Sequence, residues 1–265
     1  MATVTVLGIP VSDEQIERWL GFYAPARQPF RTRALAGSIT DFLPENGSTE
    51  IVTGELRDTF FMYGGGPWVW LSEDEYAALR PDVRAALASE RRGRICPKPV
   101  PAWPSDPMVL PKLFRWVETG TRPSLHELTR EQLRRASRGP LPRVAELAGR
   151  FPTASGPNCF GAVMAAAGEP VEHDWVQLDQ FQTWLDDHTT PAAALGSDQR
   201  AGQVLVWHQD GLLAHAAVTI SDGWVLQKPS QSWSSPVGVW TLQEVINHWR
   251  LPGVRLSRHT LTSIP

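Results

Sequence analysis

Along this chain the spacing of apolar positions changes character near residue 150. Before it, apolar residues recur in short helical rhythms. Ser12 and Gln15 form a capping-box pattern followed by Ile16, Trp19 and Leu20, which predicts a short helix. From Phe30 to Leu71, β-branched and aromatic runs are split by Asn-Gly and Gly-Gly-Gly, which predicts short strands. Ser72 and Glu75 repeat the capping box and open a helix interrupted near Pro81. The stretch from Ile95 to Pro111 is dense in proline, which fixes φ and removes donors, so an extended arm is expected there. A short basic helix follows Thr129 and stops near Gly139, and another covers about Arg143 to Gly149.

After residue 150 the pattern is different. A helix of small residues runs from about Cys159 to Ala167 and ends at Gly168. A second, about Leu178 to Asp187, carries Phe181, Trp184 and Leu185 on one side. Three strand-like runs, "QVLVWHQ", "LLAHAAVTI" and "WVLQKPS", are joined by Asp210-Gly211 and Ser221-Asp222-Gly223, so an antiparallel meander is expected. A helix over about Thr241 to Trp249, a turn at Pro252-Gly253 and an edge strand complete the chain. The fold class expected is α+β. Three parts are expected: a mixed domain over 1–94, a proline-rich arm with short basic helices over 95–150, and a third part over 151–265.

Composition narrows the function classes. The chain has 265 residues, 42% hydrophobic and 20% charged, the profile of a globular protein rather than a disordered one. A net charge of -3 gives no global electrostatic case for nucleic acid. Two cysteines cannot form a disulfide framework and suit a reducing compartment. The segment "MATVTVLGIPVSDEQ" lacks a basic region followed by an apolar core, and no apolar run approaches the ~20 residues of a membrane span. A cytoplasmic location is therefore expected. Twelve tryptophans against three tyrosines allow core packing or aromatic cleft walls, with Trp175, Trp207 and Trp224 as wall candidates.

The chemistry centres on "SGPNCFGAV", residues 155–163, where Cys159 opens a helix behind Asn158. A thiol in a first helical turn meets backbone amides and a dipole that favour its anion. His215 is the ionisable side chain within the apolar strand "LLAHAAVTI", where alternation places it on one face with Ala217 and Thr219. The hairpin sets Gln227 diagonal to His215, within a long side chain's reach, where a neutral amide can orient an imidazole.

In order and spacing, "NCFGAV", "GQVLVW", "HAAVTISDG" and "WVLQ" resemble the NlpC-type branch of the papain-like cysteine hydrolases, over roughly residues 155–230. The resemblance implies a papain-like domain with a nucleophile helix packed on an antiparallel sheet. It implies Cys159 as nucleophile, His215 as general base and acid, and Gln227 as the orienting residue. The chain departs from the family's pattern with Asn158 and Gln203 where aspartates are usual, and with Gln227 where histidine is commoner. The expected reaction is acyl transfer from an amide, peptide or thioester through a covalent acyl-thioester. The Cys159 N–H, with Asn158 or Ser155, is the expected oxyanion donor set.

Two other readings stay open. One is a non-catalytic papain-like module docking an acidic partner, for which the arginine runs 80–94 and 130–138 supply charge. The other is a cell-wall peptide endopeptidase. An acyl-carrier protein is the acidic partner that suits acyl chemistry. No cofactor is expected. No metal is expected either, since His173, His188 and His208 are scattered without Cys or Glu pairing. Cys96, in "RICPKP", lacks a helix start and a local histidine.

Overall fold

The computed structural model describes residues 4–32, 51–64, 67–92, 98–192 and 197–262. Cys96 and most of the glycine-rich turn 64–66 lie outside them. The chain divides into two compact units, Met1–Val6 with Pro10–Arg122, and Leu7–Ile9 with Pro123–Pro265. Among the described residues, no helix is long and apolar enough to cross a membrane.

In the first unit, helix α1 (Asp13–Tyr23) is capped by Ser12, whose side chain accepts from Gln15 N–H. The strands described between residues 27 and 72 are β3 (Arg27–Arg31) and β4 (Trp68–Ser72), paired antiparallel, with β1 (Val4–Val6) and β2 (Ile9–Val11) earlier in the chain. One expected strand region is instead helical. Residues Gly54–Phe60 form α2, because Thr53 caps it through Leu56 N–H, a local bond that outweighs the β-branched composition before it. Helices α3 (Glu73–Ala78) and α4 (Pro81–Arg92) follow, split before Pro81. The proline-dense stretch turns helical at Val109, giving α5 (Val109–Glu118), with Pro111 in the first turn, where a missing N–H is harmless.

The second unit is built on an antiparallel six-stranded sheet in the order β5-β10-β6-β7-β8-β9. Its strands are β5 (Thr189–Pro191), β6 (Ala201–Gln209), β7 (Leu212–Ser221), β8 (Trp224–Gln227), β9 (Gly238–Thr241) and β10 (Val254–Leu261). The expected meander is present as β6–β7–β8. The turns are those the residues suggested, with Asp210, Gly211, Asp222 and Gly223 all at positive φ. The last strand is not at the edge. β10 pairs with both β6 and β5, because "VRLSRHTL" places residues for two ladders.

Helices α6 (Arg130–Ser137), α7 (Val144–Leu147), α8 (Cys159–Ala166) and α9 (Leu178–His188) supply one core with one face of the sheet. Leu133, Ala136, Leu141 and Val144 are buried in that core beside Ala216, Val218 and Leu226. The division therefore falls near residue 122 rather than 150, since the short basic helices bury their apolar stripes in the second unit. The other face of the sheet carries Leu205, Trp207, Ala217 and Val225, covered by α10 (Leu242–His248) and Trp249.

Candidate functional site

Helix α8 is buried along its whole length, so its start is fixed by packing as well as by capping. Its run of Gly161, Ala162, Ala165 and Ala166 permits close approach. A Cβ added at Gly161 would lie 3.1 Å from the Val171 carbonyl oxygen. Asn158 uses both ends of its carboxamide to hold this start. Oδ1 accepts from Gly161 N–H at 3.0 Å and Nδ2 donates to the Val176 carbonyl at 2.7 Å. Ser155 Oγ accepts from Trp233 N–H at 3.1 Å. The two side chains expected at an oxyanion thus serve the turn ahead of the helix.

Cys159 is buried, 8% exposed. Burial pushes its thiol up to about 11, against the backbone amides of Ala216, Phe160 and Cys159 itself and the charge of Lys228, all of which favour the anion. The thiolate expected from the helix start is therefore not the resting state at neutral pH. Desolvation outweighs the amides.

His215 is 1% exposed, and burial pushes its ring down to about 3, so it is neutral. Its Nε2 donates to Gln227 Oε1 at 2.8 Å. The β7–β8 register, with Val218 opposite Leu226 and Thr219 opposite Val225, sets up this diagonal pair. Because the glutamine oxygen can only accept, the proton sits on Nε2 and the lone pair on Nδ1. The ring stacks on Trp249, with centroids 4.3 Å apart, and lies tilted 5.5 Å from Trp207.

The structure joins His215 to Gln227 but gives neither a hydrogen bond to the Cys159 side chain. Ala216 faces the core that holds Cys159, whereas the His215 ring lies with Trp207 and Trp249 on the other side of the sheet. What connects the two is the peptide between His215 and Ala216, whose N–H acts on the sulfur. At this point β7 carries one extra residue, Ala214, between the pairs Trp207–His215 and His208–Leu213. Such a bulge bends a strand and re-aims side chains.

The three tryptophans do not line one cleft. Trp207 is buried on the His215 side, Trp224 packs against the opposite core, and Trp175 is 47% exposed. A cavity of about 190 Å³ lies instead beside the helix start, lined by Leu147, Phe151, Pro157, Asn158, Ala162 and Lys228 among others. Among the described residues, no group of three His, Cys, Asp or Glu side chains is placed to hold a metal.

Two functional candidates had no sequence signal strong enough to find them. Trp249 covers the His215 ring from a helix end distant in sequence. Lys228 directly follows Gln227, but nothing in "LQKPS" distinguishes a buried ammonium from an exposed one.

The chain matches no known protein family, no curated protein and no solved structure.

Proposed function

We propose that the second unit is a papain-like, NlpC-type domain that carries out cysteine acyl chemistry on an amide, peptide or thioester. The observation that carries the reading is the His215–Gln227 bond, which leaves Nδ1 as the basic nitrogen, next to the peptide whose N–H acts on Cys159. In this reading the thiol gives its proton to Nδ1 as its sulfur bonds the substrate carbonyl carbon. The imidazolium then protonates the leaving group, whose bond to that carbon breaks. Water, giving a proton to the same nitrogen, attacks the acyl carbon; the C–S bond breaks, the acid leaves and the imidazolium returns the proton to sulfur. Proton transfer requires sulfur and Nδ1 within hydrogen-bond reach, so this reading requires the strand at the Ala214 bulge to shift on substrate binding and turn the His215 ring to the Cys159 side of the sheet.

A second reading is supported by one observation. Thiol and ring are both sealed from solvent and packed in separate layers, the arrangement of a binding module whose cysteine and histidine are core residues. Incubation with a panel of peptides, amides and thioesters, followed by intact-mass analysis, separates the two. An acyl adduct on Cys159, absent in His215→Ala, supports acyl chemistry. Absence of any adduct across the panel supports the module.

A further inference from the structure

Lys228 is 1% exposed, yet it carries a terminal amine. Its Nζ donates to three carbonyl oxygens, of Ser230 at 2.7 Å, Ser232 at 3.1 Å and Ser235 at 2.7 Å. An ammonium has three N–H donors and no acceptor, so three carbonyls satisfy it. The loop that supplies these oxygens also holds the turn ahead of α8. Gly156 N–H donates to the Gln231 carbonyl at 2.9 Å, and Trp233 N–H donates to Ser155. The lysine side chain and Asn158 border the same cavity.

We propose that Lys228 is a positioning residue for Cys159, a buried ammonium that folds the 230–235 loop onto the turn before the nucleophile helix. The assignment to catalysis rests on the reading of Cys159 as nucleophile. The coupling between the two side chains does not. Other ionisable side chains at the cavity are Glu146, Arg150, Glu172 and His173. Glu146 and Glu172 are both paired with Arg143, at 3.2 and 2.5 Å. The titratable group on β7, His215, lies on the other side of the sheet, and burial keeps it neutral. The charge of Lys228 favours the thiolate, a smaller influence than burial and the three backbone amides.

The test follows thiolate ultraviolet absorbance against pH in the full chain with Cys96→Ser, for the parent, Lys228→Met and Lys228→Arg. The expected result is a higher midpoint in Lys228→Met and one near the parent's in Lys228→Arg. Equal midpoints in the parent and Lys228→Met overturn the proposal. If Lys228→Met does not fold, ¹⁵N-lysine spectra of the parent decide. An ammonium signal in slow exchange with water, moved by alkylation of Cys159, supports the coupling, and the lack of such a signal overturns it. A failure of the catalytic reading shows separately, as a parent chain that forms no acyl adduct while its midpoint still depends on Lys228.

Discussion

The Nε2 of His215 donates to Oε1 of Gln227 across neighbouring strands, and this 2.8 Å bond fixes which ring nitrogen is basic. In a buried site the tautomer decides what the imidazole can do. With ¹⁵N-histidine spectra the prediction is a neutral ring protonated at Nε2 at pH 7. In Gln227→Leu the Nε2 proton loses its acceptor, the tautomers mix, and any acyl-transfer rate falls by on the order of 10- to 100-fold. An unchanged tautomer and rate in that variant would show that the glutamine does not orient the ring.

Trp249 keeps water from one face of that ring. Burial is the first cause of the ring's low value, so Trp249→Ala opens it to water and raises its titration midpoint from about 3 toward the ordinary 6.5. Proton NMR of the histidine ring reads this. A midpoint that stays low in the variant would place the desolvation elsewhere.

The same burial makes stability depend on pH with a defined sign. In the unfolded chain His215 takes a proton near 6.5, whereas folded it resists one down to about 3. Its contribution to stability is whole above about pH 6.5 and is lost as pH falls from there toward 3. Cys159 acts at the other end. Its folded value near 11 lies above the ordinary thiol value of about 9, so its contribution is whole below about 9 and is lost as pH rises through 11. Urea unfolding at pH 7 and pH 4.5 should show a larger acid loss for the natural chain than for His215→Gln. Parallel losses would contradict the buried, neutral ring.

Asn158 holds the helix start through two bonds, to Gly161 N–H and the Val176 carbonyl. Asn158→Ala removes the cap and is expected to destabilise the second unit by about 1–2 kcal/mol. Chemical denaturation measures this. A rate effect far larger than the stability change would return Asn158 to the oxyanion.

Much of the second unit was legible because its signals are local. Asp-Gly and Ser-Asp-Gly fixed two hairpins, and strand alternation with the hairpin register placed Gln227 diagonal to His215. What was not legible depends on contacts distant in sequence. The extra residue Ala214, the Trp249 ring on His215 and the burial of Lys228 all follow from tertiary packing. The helix-start argument for a thiolate was incomplete for the same reason. Amides at Phe160 and Cys159 are local and readable, whereas the desolvation that outweighs them comes from the whole core. In the first unit, Thr53 capped a helix where composition suggested a strand.

The central claim is that Cys159 is a nucleophile whose proton goes to His215. The rate of iodoacetamide labelling at Cys159, followed by mass spectrometry against pH in the natural chain and in His215→Ala, tests it most directly. The account predicts labelling that climbs with pH through 7 to 9 without a plateau, as a neutral thiol requires, and that slows at least tenfold in His215→Ala. Labelling at the same rate in both chains would contradict the account and leave Cys159 as a core residue.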